Sequence, residues 1–248
     1  MSSCYQRARN ASVPFCVADR AIRAEVHPPS KANPLSDCMS SLYPVTKKIT
    51  DVLTAAVGLA MASPLLLAVA ILVKTTSPGS VFYRGIRTGK NGVPFRIMKF
   101  RTMVTDAESV GGPSTALNDP RLTRIGKFLR KYKLDELPQL INVLVGDMSL
   151  VGPRPQVRQY TDLYTGEERL ILTVRPGLTD YASLRFINLD QILGDDNVDE
   201  KYLKEVEPAK NSLRIEYVKK RCLTEDLRIL FMTVLQLLKI RSTWNTGV

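Results

Sequence analysis

Two adjacent carboxylates, Asp135 and Glu136, stand between a run of cations and a proline in the stretch Leu134-Asp135-Glu136-Leu137-Pro138-Gln139-Leu140. Pro138 suits the first turn of a helix, which places both acids at a helix N-terminus, where the dipole and the free N–H groups favour anions. Both are therefore expected to be ionised at neutral pH. Neighbouring helical residues point ~100° apart, so the two acids cannot perform one task on one atom. One can attack or bind a metal while the other handles a proton. A low-pKa carboxylate is a competent nucleophile toward phosphorus, and two anions approaching a pyrophosphate need Mg²⁺ or arginines to offset the repulsion. A plainer role stands beside this one, since Asp as N-cap and Glu in the first turn is a common way for a helix to begin.

The surrounding charge is local. Arg84, Arg87, Lys90, Arg96, Lys99 and Arg101 come without an intervening acid, as do Arg121, Arg124, Lys127, Arg130, Lys131 and Lys133. The whole chain carries 35 Lys and Arg against 24 Asp and Glu, a net charge of +11. Such clusters suit anionic headgroups at a membrane surface or the phosphates of a substrate. The single histidine, His27, lies in a polar N-terminal segment, which removes the raw material for a Ser/His/Asp triad or a histidine metal site. Cys4, Cys16, Cys38 and Cys222 form no C-x-x-C pair, and three lie in the first 38 residues, which argues against a zinc ribbon or disulfide framework and makes a reducing compartment the simpler reading. Gly85 to Lys90 has glycine spacing one residue short of a P-loop, with Asn91 where Ser or Thr is needed. A membrane-tethered nucleic-acid-binding protein fits the charge, but aromatic and basic residues are not interleaved as a stacking platform requires.

The elements that must carry the acids begin with Val52 to Val73, 22 residues without a charge. As a helix this run is roughly 33 Å long, enough for a hydrocarbon core of ~30 Å. Pro64 cannot donate to the carbonyl of Ala60, Ser63 offers a hydroxyl to the freed group, and a bend is expected there. A kinked span and a re-entrant helix-break-helix both fit, because cations flank both ends. Beyond it, Ser80–Arg84 and Val93–Met98 read as a β-hairpin around Asn91-Gly92, and residues 104–120 as a loop. Arg121–Tyr132 reads as an amphipathic helix, Glu136–Val145 as a second one ended near Gly146, and Glu216–Ile240 as a long C-terminal helix. The fold class is α+β, predominantly helical.

Residues 45 to about 240 resemble the bacterial sugar transferases, small monotopic phosphoglycosyl transferases acting on polyprenyl phosphate. The resemblance is carried by the Lys47-Lys48 to Asp51 lead-in, the apolar run broken at Ser63-Pro64, KFRTM (Lys99 to Met103), the 37 residues from Asp119 to Pro155, and VRPGLT (Val174 to Thr179). Residues 1–40, a mix of Pro, Ser, Asn, Ala and scattered charges, read as a weakly ordered leader, and the resemblance implies a re-entrant membrane helix over 41–76 turning at Ser63-Pro64 and a catalytic domain with amphipathic membrane-surface helices over 77–241, followed by a tail over 242–248. The leader has no counterpart in the pattern, and Met39 is an alternative start.

The resemblance further implies a ping-pong transfer at the cytoplasmic face of the bacterial inner membrane, opening the assembly of exopolysaccharide, O-antigen, capsule or glycoprotein glycan. Asp135 would attack the β-phosphorus of a nucleotide-sugar, most often a UDP-sugar, and polyprenyl phosphate would then take the phosphosugar. Glu136 matches the second acid, suited to activating the acceptor or, with Asp135, to holding Mg²⁺. Arg130 matches a phosphate-contacting position, and Lys99, Arg101 and Arg154 are weaker carry-overs; Asp147 equally suits a turn cap. The partners implied are nucleotide-sugar, polyprenyl phosphate and membrane lipids, with no nucleic acid and with a homodimer left open. A non-catalytic scaffold role is opposed by the intact dyad. Gly85 replaces an expected Gln, and Asp180–Phe186 with the acidic stretch through Glu207 departs from the pattern, which bears on substrate identity.

Overall fold

The computed structural model describes residues 34–107, 119–187, 189 and 198–238. The leader before residue 34, the loop centre at 108–118, residues 190–197 of the acidic stretch and the 242–248 tail lie outside them. The described part is mostly helical, with three short two-stranded ladders.

One helix, α1 (Pro34–Thr76), begins within the stretch assigned to the leader and runs through Pro44 and Pro64. The break expected at Ser63-Pro64 is not an interruption. Ser63 Oγ donates to the carbonyl of Ala60 at 2.8 Å, replacing the bond that Pro64 cannot make, and the helix continues. Asp51, Ala55, Val69 and Val73 are buried and Gly58, Leu59, Ala62 and Leu66 half-buried, a stripe at helical spacing that follows the rest of the fold for the length of the apolar run. Near one end, Tyr43 and Lys47 donate to Asp226 at 2.9 and 2.7 Å. Asp51 accepts from Ser149 Oγ at 2.7 Å and from the Leu150 N–H at 3.2 Å. Toward the other end, Val69 and Val73 pack with Phe100 and Leu129. The opposite face, with Leu53, Val57, Met61, Leu65, Ile71 and Leu72, is exposed and apolar.

The hairpin turn at Asn91-Gly92 is present, but the two expected runs do not pair with each other: Pro94–Arg96 pairs with Ile86–Thr88, and the Ser80–Arg84 run pairs further on, with Lys99–Phe100. Strand β1 (Phe82–Tyr83) pairs antiparallel with β4 (Lys99–Phe100), and β2 (Ile86–Thr88) with β3 (Pro94–Arg96). Asn91 (φ 57°) and Gly92 (φ 77°) supply the consecutive left-handed residues that a tight hairpin turn requires. Helix α2 (Arg124–Lys131) starts later than expected because Arg121 is held by Asp119 at 2.6 Å and the cap is Thr123, whose hydroxyl accepts from the Gly126 N–H at 2.9 Å. A Cβ on Gly126 would stand 1.9 Å from the carbonyl oxygen of Thr102, so a side chain there would push α2 away from the residues after β4.

Helix α3 (Gln139–Val145) stops at Gly146 in the left-handed region, φ 90°. Strand β5 (Ser149–Val151) then pairs in parallel with β6 (Gly177–Thr179), a contact with no counterpart in the sequence reading. Short helices α4 (Arg158–Thr161), α5 (Tyr181–Arg185) and α6 (Val198–Lys201) lead to α7 (Glu207–Lys220) and α8 (Leu223–Leu237). The single helix expected over 216–240 is therefore two, split at Arg221-Cys222. Tyr217 Oη donates to Asp226 at 2.7 Å, whereas residues nine apart on one straight helix are ~13.5 Å apart along its axis. The chain must turn for that bond to form. Helix α8 buries Ile229 and exposes Leu227, Phe231, Val234 and Leu238.

Candidate active site

The dyad sits in a tight 3₁₀ turn, Leu134–Glu136, between α2 and α3. Lys133 enters it with φ 56°, a left-handed conformation that costs energy for a residue with a Cβ and redirects the chain off the end of α2. Asp135 caps no helix, since no hydrogen bond from a described residue reaches its carboxylate and its Oδ1 is buried without a partner. The expected capping role is thus not the one Asp135 fills.

The two acids also part electrostatically. Asp135 is 5% exposed. Burial, and then the charge of Glu136, push its carboxyl above the ordinary carboxylate value against the pull of Lys99, Arg130 and Lys133. Burial also opposes the charge of Glu136, but Arg154 and Lys99 overcome it and hold that carboxyl far below the usual range. Glu136 Oε1 accepts from Lys99 Nζ at 3.0 Å and from the Arg154 guanidinium. Burial lowers Lys99, with Arg154 adding to the effect, while Glu136 and Asp135 restore part of its basicity. The expectation of two equivalent, stabilised anions gives way to a fixed anion beside a less acidic, unbonded carboxylate.

Both acids line a cavity of about 1580 Å³. Eleven cations and three acids among the described residues line it, a balance that suits a polyanion. Lys99, Arg101, Arg130 and Arg154 are all on its wall. Arg130 is anchored by its Nε to Thr102 Oγ1 at 3.1 Å. Arg101 is committed elsewhere: its guanidinium donates to the Ser77 carbonyl and hydroxyl at 2.8 and 2.9 Å and to the Pro78 carbonyl, tying β4 to the end of α1. Asp147 is not on this wall and accepts from Asn142 Nδ2 at 3.3 Å.

Sequence reasoning missed the residues that set these positions. Asn142 is 4% exposed; its Oδ1 accepts from the Met98 N–H and its Nδ2 donates to the Arg96 carbonyl, each at 2.9 Å. One amide thereby registers the helix after the dyad against the strand that delivers Lys99. Asp180, fully buried, accepts from the Arg154 N–H at 3.2 Å and caps α5 through Ser183 N–H at 2.6 Å. Lys210 and Arg214 also line the cavity from α7. A buried asparagine and two lysine or arginine residues inside a helical pattern have no local signature. The departure at Asp180 is the one signal that pointed to this region.

As to metal, no group of three acid, cysteine or histidine ligands exists among the described residues. The donor set still suits Mg²⁺ shared with substrate, because this ion commonly takes one or two carboxylates and completes its shell with phosphate oxygens and water. Asp135 Oδ1 is unpartnered, and both bonds to Glu136 fall on Oε1.

A family model described as bacterial sugar transferase matches residues 42–240. A UDP-glucose:undecaprenyl-phosphate glucose-1-phosphate transferase of Caulobacter vibrioides is 38% identical over 195 residues, covering 77% of this chain and 69% of that protein. The exopolysaccharide production protein ExoY of Rhizobium meliloti is 38% identical over 205 residues, covering 77% and 84%. A UDP-N-acetylgalactosamine-undecaprenyl-phosphate N-acetylgalactosaminephosphotransferase of Aeromonas hydrophila is 43% identical over 148 residues, 58% of this chain. The chain spans only 35% of that protein's length, and 42% of a similar glucose-1-phosphate transferase from Escherichia coli (strain K12).

Proposed function

The chain belongs to the bacterial sugar transferase family, and we propose that it transfers a phosphosugar from a nucleotide-sugar, of the UDP-sugar class, to polyprenyl phosphate. The observation that supports this most directly is the divided dyad: Glu136 clamped between Lys99 and Arg154, and Asp135 unbonded beside it on the wall of a cationic cavity.

An Asp135 carboxylate oxygen attacks the β-phosphorus of the donor. The bond from that phosphorus to the bridging oxygen breaks, the electron pair leaves with the nucleoside monophosphate, and an aspartyl-phosphosugar remains. A phosphate oxygen of polyprenyl phosphate then attacks the same phosphorus and releases Asp135. An unbonded carboxylate with a raised pKa is a stronger nucleophile than one quenched by donors, while Lys99, Arg130 and Arg154 offset the charge of the phosphates. Glu136 orients Lys99 and Arg154 and stays anionic. Exchange between near-equivalent anhydrides asks chiefly for positioning and charge neutralisation. Mg²⁺ would be held by Asp135 and Glu136 together with phosphate oxygens, and when bound it supplies further neutralisation of the pyrophosphate.

The proposed membrane arrangement is supported by α1. Its two ends are anchored to one folded body, through Asp226, Ser149 and Leu150 at one and through Phe100 and Leu129 at the other. In the proposed arrangement both ends lie on the cytoplasmic face of the inner membrane and the apolar face lies in lipid, which brings the dyad to the lipid acceptor. The test is release of UMP by the full chain in lipid vesicles containing polyprenyl phosphate, screened over a panel of UDP-sugars. Release with at least one sugar, dependent on Asp135, is the expected result; no release with any sugar overturns the reading.

A further inference from the structure

Lys210 is a cation without an assigned task. It lies on α7, is 7% exposed, and lines the same cavity as the dyad. Its ammonium stands 5.1 Å from the ring centre of Tyr202 and 5.7 Å from that of Phe186, close enough for cation–π attraction. It makes no hydrogen bond or ion pair with a described residue. The acids that act on it are already engaged: Asp180 accepts from the Ser183 and Arg154 N–H groups, and Glu207 Oε1 accepts from Arg214 at 3.0 Å. Its other charged neighbours, Arg154 and Arg214, are cations. Burial first, then these two arginines, push Lys210 down to about 7. A buried ammonium among guanidiniums, with its nearby acids occupied, is an unfilled anion site.

Two further features say which anion. Arg154 grips Glu136 at the dyad, and Lys210 adds a second cation to the same cavity wall from a different element, α7, as two adjacent phosphates would need. A nucleoside diphosphate donor carries two adjacent phosphates; polyprenyl phosphate carries one. Around Lys210 the wall turns aromatic and apolar, with Phe186 half-buried and Tyr160 stacked on Tyr202 at 5.4 Å. Planar walls suit a nucleobase.

We propose that Lys210, Phe186 and Tyr202 form the nucleotide end of the cavity, with Lys210 on the α-phosphate of the donor and Phe186 against its base. The assignment rests on the transferase reading above and adds the place of the leaving group. As the β-phosphorus bond to the bridging oxygen breaks, the α-phosphate gains negative charge, and Lys210 stands where that charge appears. Phe186 belongs to the Asp180–Phe186 segment, where the sequence departs from the pattern expected of the resembled family.

The test is calorimetric titration of the detergent-solubilised full chain with UMP and with uridine. Lys210→Met should weaken UMP by about tenfold or more and leave uridine unchanged. Phe186→Leu, which keeps every buried charge and so carries the test should Lys210→Met fail to fold, should weaken both ligands. The kcat/KM for polyprenyl phosphate should stay at the wild-type value in each. Wild-type UMP affinity in both variants overturns the subsite alone. A fall confined to the kcat/KM for polyprenyl phosphate overturns it in favour of a lipid phosphate at Lys210. A wild type that binds neither UMP nor any UDP-sugar overturns the subsite and the transferase reading together.

Discussion

Lys99 Nζ stands 3.0 Å from Glu136 Oε1, and this pair joins the hairpin to the turn that carries Asp135. Arg154, from the loop after β5, meets the same oxygen. Two cations far apart in sequence thus converge on one carboxylate, while neighbouring Asp135 receives no donor from a described residue.

Glu136→Gln keeps the shape of the clamp and removes its charge. Turnover should fall by roughly 100-fold or more, since the cations are no longer held for the phosphates. Lys99 should also lose the anion that supports its protonation, so the alkaline limb of the pH–rate profile should move to lower pH. Initial rates of UMP release between pH 6 and 10, a range set by the ordinary lysine titration region of about 10.4, measure both. A profile that keeps its alkaline limb would remove Glu136 as the partner of Lys99.

Asp135→Asn should raise stability while it removes activity. The folded protein holds the Asp135 proton more tightly than the unfolded chain, so stability declines as pH rises from the ordinary carboxylate range through the folded value. The asparagine escapes that loss. Glu136, shifted the other way, contributes fully above the ordinary range and loses its contribution only as pH falls through its own low value. In thermal melts the variant should exceed wild type at pH 7, with a gap that narrows on acidification. A gap that widens on acidification contradicts the environment assigned to Asp135.

Asn142→Ala should uncouple the helix after the dyad from the strand before Lys99. Leaving the Met98 N–H and Arg96 carbonyl without their partner costs roughly 1–3 kcal/mol for each group that stays dry. Urea denaturation measures the loss of stability, and turnover should fall with it even at temperatures where the variant is folded. Full activity in a folded variant would show that Lys99 finds its place without this amide.

The placement of α1 predicts equal accessibility of its flanks. In a background cleared of native cysteines, Lys48→Cys and Thr76→Cys should both react with an impermeant thiol reagent in inside-out vesicles and neither in right-side-out ones. Reaction of one flank in each preparation would mean that the helix spans.

Much of this was legible where the signal is local. Asn91-Gly92 announces the hairpin turn, Gly146 ends α3, and eight of the twelve cations in the two runs line one cavity with the dyad, while Lys90, Arg124, Lys127 and Lys131 do not. Pro64 was legible as a missing donor, but its consequence depended on whether Ser63 would fill the gap, and the hydroxyl does. The parallel pairing of Ser149–Val151 with Gly177–Thr179 joins two three-residue segments across a long excursion, and nothing in either announces the other. The split at Arg221-Cys222 is imposed by Asp226, which must meet Tyr43, Lys47 and Tyr217 at once. Asn142 owes its role to Arg96 and Met98, more than 40 positions away, beyond the reach of any periodicity.

The measurement that bears most directly on the central claim is covalent capture. The full chain is exposed to UDP-sugar labelled in the β-phosphate, with no polyprenyl phosphate present, and the denatured protein is analysed by mass. Wild type should carry one phosphosugar on the peptide containing Asp135, lost when polyprenyl phosphate is added before denaturation, and Asp135→Asn should carry none. A labelled Asp135→Asn, or a wild type that turns over while never acquiring the adduct, would contradict Asp135 as the nucleophile.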